Sequence, residues 1–251
     1  MSEELELKLL KQIEELQKEI DSIKSKNLNK SEKPTYQYSK IRDIDLEKLV
    51  DIEKKIDSNI FKEWFKNGIK INTETVSFLQ NIIDKNEMLI DDYNEEDLKV
   101  NVIIPILSRV EFKSFENEFR DFYELALRYE TEKFIFKGTT DFAVSKGLFK
   151  SKKPYFFIQE FKKAEEFSNP RPQLLAELIS AVELNNQKIM KGAYIVGSIW
   201  RFVILEKLKK DKYHYFVSSN FDTTKIEDLK AIYKNLLFIK NEIIEDLQKN
   251  K

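Results

Sequence analysis

The apolar residues change their spacing partway along the chain, and that change limits the folds open to it. Before Leu127 they recur mostly at steps of three and four, as on the buried face of a helix. Beyond it they gather in short runs rich in Phe, Tyr, Val, Ile and Thr. Phe134 with Phe136, and then residues 139–145, 155–161, 193–204 and 213–218, are predicted as strands. A helix over about 173–186 separates the strand at Tyr155 from the one at Ala193, so these two are expected to be joined by a crossover and to run parallel. Gly147, in the basic stretch between Ser145 and Pro154, is expected to bend a hairpin. Ile226, Leu229, Ile232, Leu236, Ile239, Ile243 and Leu247, behind Thr224 and Glu227 at capping-box spacing, predict a closing helix. The fold class is α/β or α+β, a central mixed sheet flanked by helices.

Upstream, Leu9, Ile13, Leu16, Ile20 and Ile23 alternate steps of four and three, the a/d spacing of a short coiled coil, so residues 1–24 are expected to form an amphipathic helix. A homodimer paired through that helix is one expectation, and packing of the helix on its own domain is the other. Residues 25–40 are polar, aperiodic and contain Pro34, which predicts a linker. The main domain then spans 41–251. It is expected to open with helix over 41–89, broken at Asn67-Gly68, followed by an amphipathic helix capped by Asn94.

Composition removes several chemistries. The 251 residues hold no cysteine and one histidine, His214, which excludes disulfides, thiolate metal sites and multi-histidine centres. Charged residues make up 35% of the chain and no apolar run approaches the ~20 residues of a membrane-spanning helix, while the amino terminus is acidic. A cytoplasmic protein with no membrane partner is therefore expected. With 43 basic and 44 acidic side chains, any footprint for nucleic acid has to be local.

Carboxylates and lysines remain as candidates. In YFFIQEFKKA an apolar strand ends in Glu160 and Lys162, whose side chains share a face with Phe156 and Ile158, while Phe157, Gln159 and Phe161 share the other. Charges buried there need compensation, because an unpaired buried ion costs several kcal/mol. Asp141 in GTTDFAV, on the adjoining hairpin strand, brings a second carboxylate to the same point. Two hard oxygen ligands with open water positions suit Mg2+. Lys162 beside that ion would orient or deprotonate water for phosphodiester hydrolysis.

These residues resemble the PD-(D/E)xK nuclease superfamily, with its restriction-endonuclease-like fold. The match comprises Asp141 in DFAV, a hairpin, an apolar strand ending Glu160-Phe-Lys162, and a helix carrying Gln173 in QLLAEL. It looks closest to the amino-terminal nuclease domain of type I restriction motor subunits and related stand-alone proteins, in which an acidic helix precedes the core; NEEDLKVNVIIPIL supplies that segment here, with Glu95 favoured over Glu96. The resemblance covers about residues 95–221. It implies Asp141 and Glu160 as Mg2+ ligands, with Mn2+ as a substitute, Lys162 as the water-activating lysine, Glu95 as an outer or second-metal acid, and Gln173 as a supporting residue. Thr140 stands where the family name has proline. DNA is the implied substrate, with RNA left open.

Glu-x-Lys by itself carries little, since Glu6/Lys8, Glu53/Lys55 and Glu111/Lys113 share it. The bland reading of Glu160 and Lys162 is a surface salt bridge on an edge strand. Lys150, Lys152, Lys153, Lys163 and Arg171 are expected beside the site as phosphate contacts, against the alternative of solvated turns. Trp200 is expected mostly as core, with base stacking as its sharper reading. The alternative function is a scaffold that keeps the nuclease fold and binds nucleic acid without cutting.

Overall fold

The computed structural model describes residues 12–13, 15–19, 33–57, 59–163 and 169–249. Residues 12–13 and 15–19 are helical, with Ile13 and Leu16 each 57% exposed. The rest of the expected pairing helix lies outside the described residues.

The described residues build one mixed sheet of ten strands. In chain order these are β1 (Thr35–Gln37), β2 (Asp51–Lys54), β3 (Lys113–Ser114), β4 (Phe119–Glu130), β5 (Ile135–Lys146), β6 (Lys152–Lys162), β7 (Ile189–Val196), β8 (Ile199–Lys209), β9 (Lys212–Val217) and β10 (Phe221–Asp222). The spatial order is β2-β9-β8-β7-β6-β5-β4-β3, with β1 against β5 and β10 against β8. The helices are α1 (Asp43–Leu49), α2 (Lys62–Phe65), α3 (Thr73–Asn86), α4 (Glu95–Leu98), a π turn (Lys99–Ile103), α5 (Ile104–Val110), α6 (Pro170–Asn185) and α7 (Ile226–Lys249). No described helix is long and apolar enough to cross a membrane.

Two cores lie on opposite faces of the sheet. On one, Leu79, Val102, Ile106, Ile232 and Ile239, from α3, the π turn, α5 and α7, pack on Phe142, Phe157, Phe161 and Phe202. On the other, Leu174, Leu178, Ile179 and Val182 of α6 pack on Ala143, Ile158 and Val203, and Tyr38, Ile41 and Leu46 belong to the same cluster. Most of α6 is buried, which is why its sequence shows so little polar face. That helix is the expected crossover: β6 and β7 run parallel, from Phe157 opposite Lys191 to Lys162 opposite Val196.

Three sequence expectations need correction. Residues 35–40 are part of the domain rather than linker, because β1 pairs in parallel with β5 and Tyr38 is fully buried, donating a hydrogen bond to Ser180 Oγ at 2.8 Å. Residues 51–54 form a strand within the stretch expected as helix; they pair with β9, about 160 positions away, so nothing local specifies them. The long strand β4 carries little local signal, since FRDFYELALRYE mixes strong helix formers into its alternation. Thr224 and Glu227 do not form a capping box: Asp222 accepts from the Thr224 N–H at 3.0 Å and Glu227 pairs with Lys230 at 2.7 Å.

A further difference concerns the faces of β6. Val144 pairs with Phe157 but Ser145 pairs with Tyr155, so Phe156 is an extra residue in β6. Phe156 therefore packs with Phe157 on the α7 side instead of with Ile158.

Candidate active site

Antiparallel pairing of β5 with β6 runs from Lys146/Lys152 to Phe142/Gln159 and then stops. Past that point β6 stays with β7, while β5 takes β1 as its neighbour at Ile135–Lys137. The fork strands backbone N–H groups, and two carboxylates fill the gap. The Asp141 N–H donates to Glu160 Oε1 at 3.3 Å, and the Phe161 N–H donates to Asp141 Oδ2 at 2.8 Å. Asp141 and Glu160 thus face each other at the point where the two strands part.

Lys162 closes the group. Its Nζ lies 3.4 Å from Glu95 Oε1, 3.7 Å from Asp141 Oδ2 and 3.9 Å from Glu160 Oε2, and it donates to the Phe161 carbonyl at 2.8 Å. Glu95 arrives from the first turn of α4, whose Asn94 cap accepts from the Asp97 N–H at 2.9 Å while the Asp97 carboxylate accepts from the Asn94 N–H at 3.3 Å. The π turn follows directly, upstream of Pro105, which has no N–H to continue a regular ladder. The Asn101 carbonyl there receives the Asn86 amide at 3.4 Å instead.

Two participants were missed in the sequence. Lys99, four positions after Glu95, lies 3.6 Å from Glu95 Oε1, 3.6 Å from Asp141 Oδ1 and 3.7 Å from Glu124 Oε1, with its ammonium 5.9 Å from the Phe161 ring centre. Glu177 of α6 is fully buried and accepts from Gln173 Nε2 at 3.2 Å. Gln173 therefore supports the site through Glu177. The i,i+4 spacing of Gln173 and Glu177 was available in the sequence, but nothing there says that this helix face turns toward Glu160.

The electrostatics follow from burial. Burial first, then the Glu177 and Asp141 carboxylates, push the Glu160 carboxyl well above its ordinary range. Burial likewise lifts Glu177 to about 8, against the hydrogen bonds it receives from Glu160 and Gln173. Both carboxyls are thus held above the ordinary carboxylate range by burial. For Lys162, burial alone would lower the pKa, but Asp141, Glu160 and Glu95 outweigh it and raise it. Lys99 behaves in the same way, with Asp141, Glu95 and Glu124 as the opposing carboxylates. Both lysines are therefore cations at neutral pH.

The donor set suits a divalent cation of the Mg2+ type. Oε2 of Glu160 and Oε2 of Glu177 are buried without a hydrogen-bond partner, and hard oxygens in that condition are what such an ion satisfies. No three His, Asp or Glu side chains among the described residues form a closed cage. Asp141 and Glu160 would be the protein ligands, with water completing the shell.

The expected phosphate contacts are only partly brought to the site. Lys150, Lys152 and Lys153 lie at the β5–β6 hairpin, at the opposite end of those strands from Asp141 and Glu160, which corrects their expected place beside it. Lys163 follows Lys162, and its Nζ reaches the Asp92 carbonyl at 3.5 Å. Arg171, at the start of α6, is held by Asp43 at 2.6 Å. Trp200 is fully buried in the core, which removes it from base stacking. Neither a family model nor a curated protein matches the chain.

Proposed function

We propose that the chain is a divalent-cation-dependent nuclease that hydrolyses DNA phosphodiester bonds, and that its sheet is a restriction-endonuclease-like core. The observation that carries the reading is the meeting of Asp141 and Glu160 across the fork of β5 and β6, with the Lys162 ammonium within 4 Å of both. Such a group has no structural need to be there: replacing buried ions by apolar side chains is often neutral or stabilising.

Bound Mg2+ or Mn2+ would polarise a phosphoryl oxygen and make water a better nucleophile. The chain's own residues do the rest. Lys162 offers N–H donors to the oxygens that gain charge as water attacks phosphorus and the bond to the leaving sugar oxygen breaks. Glu95 tethers both Lys162 and Lys99 through one oxygen. Glu177 fixes Glu160 from behind and is itself held by Gln173. A cytoplasmic setting and a homodimer formed through the amino-terminal helix belong to the same proposal.

The test is incubation of the full chain with linear duplex, circular duplex and single-stranded DNA, and with RNA, with and without Mg2+ or Mn2+. Lys162→Ala and Glu160→Ala are run beside it. Metal-dependent cleavage that falls at least ~100-fold in both variants supports the reading. Nucleic-acid binding with no metal-dependent product replaces it with a non-cleaving scaffold.

A further inference from the structure

At the far end of the same two strands, the hairpin joining β5 to β6 presents Phe149, 94% exposed, and the turn between β3 and β4 presents Phe115, 76% exposed. The two turns are laced together. The Gly147 N–H donates to the Glu118 carbonyl at 2.6 Å, and Arg120 Nε donates to the Leu148 carbonyl at 2.7 Å. Gly147 has φ +97°, and a Cβ there would stand 2.1 Å from the Lys150 carbonyl oxygen, so the turn admits no other residue without moving. Phe149 is therefore held out on a fixed turn.

Beneath it lies a pocket of about 330 Å³ lined by Glu118, Lys146, Gly147, Leu148, Phe149 and Lys150, together with Lys152. Its interior is mainly apolar, and Lys146, Lys150, Lys152 and neighbouring Lys153 form no ion pair among the described residues. An apolar floor beside an exposed ring, rimmed by ammonium groups, complements a flat aromatic ligand that carries negative charge along its edge. A nucleotide within a strand has that chemistry: its base stacks, its phosphates meet the lysines, and Glu118 offers an acceptor to an exocyclic amino group.

We infer that this pocket holds an unpaired nucleobase of the bound strand, which makes single-stranded or locally unpaired DNA the substrate class. The inference rests on the nuclease reading. Asp141 and Lys146 are five strand residues apart, about 17 Å. A few nucleotides of single strand span that distance, so the base is read a few positions from the scissile phosphate.

The test is anisotropy of labelled single-stranded and duplex DNA in chelator, with the full chain and Phe149→Ala. Single-strand affinity is expected to fall about ten-fold in the variant, with duplex affinity nearly unchanged. Phe149→Trp is expected to restore it, with indole fluorescence quenched on binding. Equal single-strand affinity in Phe149→Ala overturns the inference; so does a wild-type dimer that this variant dissociates without altering DNA binding, since a second copy would then occupy the pocket. Melting of the variants checks that the exposed position leaves the fold intact. Metal-dependent cleavage on the same samples separates the two readings. Cleavage with Phe149-independent binding removes the pocket and keeps the nuclease, whereas Phe149-dependent binding without cleavage does the reverse.

Discussion

Lys99 holds Asp141 from the side opposite Lys162: its Nζ is 3.6 Å from Oδ1, while that of Lys162 is 3.7 Å from Oδ2. Both lysines also reach Glu95 Oε1, so the four groups alternate in sign around a ring. Alternation lets closely spaced carboxylates coexist at the end of an apolar sheet, because each has a cation on either side.

If the proposed nuclease reading holds, Lys99→Met is expected to lower kcat by about 100-fold, because one of the two cations beside Asp141 is lost. DNA affinity in chelator should change by less than about three-fold, since one phosphate contact at most is removed. Lys99→Arg should recover part of the rate. Steady-state kinetics beside anisotropy decide it, and a Lys99→Met protein with wild-type kcat would show that the ring serves only the fold.

Glu177 links site and stability. Its folded pKa is raised from 4.5 to about 8, so its contribution to stability is fully present below 4.5 and is lost as pH rises through about 8. Glu160 shifts in the same direction. Unfolding free energies from denaturant titrations without metal should fall between pH 5 and pH 9, by on the order of a few kcal/mol. Glu177→Gln should flatten that slope. An identical slope in wild type and variant would mean that Glu177 does not carry the pH dependence.

Tyr38 tests the domain boundary. Its hydroxyl donates to Ser180 Oγ, which donates in turn to the Ala176 carbonyl, so β1 and the 3-10 turn after it are fastened to α6. Ser180→Ala leaves the buried Tyr38 hydroxyl without a partner and should cost about 1–3 kcal/mol. Tyr38→Ala, which empties a large fully buried site, should cost about 3–5 kcal/mol. Urea unfolding measures both; values near zero would mean that residues 35–40 are dispensable.

Glu95→Gln should weaken the tether on Lys162 and Lys99 without unfolding the chain, because Glu95 is 39% exposed. Catalysis is expected to drop about ten-fold while the melting temperature stays within a few degrees. A loss of ~1,000-fold would instead place Glu95 among the direct ion ligands.

The sequence alone determined the sheet flanked by helices, the parallel crossover through α6, the hairpin at Gly147 and the positions of Asp141, Glu160 and Lys162, since each rests on a local period, turn residue or alternation. The hairpin placed Asp141 near Glu160, and the fork then turned them face to face. Tertiary structure decided what depends on distant partners. Residues 51–54 are a strand because β9 lies beside them, and residues 35–37 are a strand because β6 leaves β5 free there. Glu177 joins the site because α6 packs one buried face on β6, and Lys99 joins because the π turn sets it between Glu95 and Asp141. Backbone pairing and burial are satisfied between segments far apart in the chain, so the residues that complete this site leave no sign in their own neighbourhood.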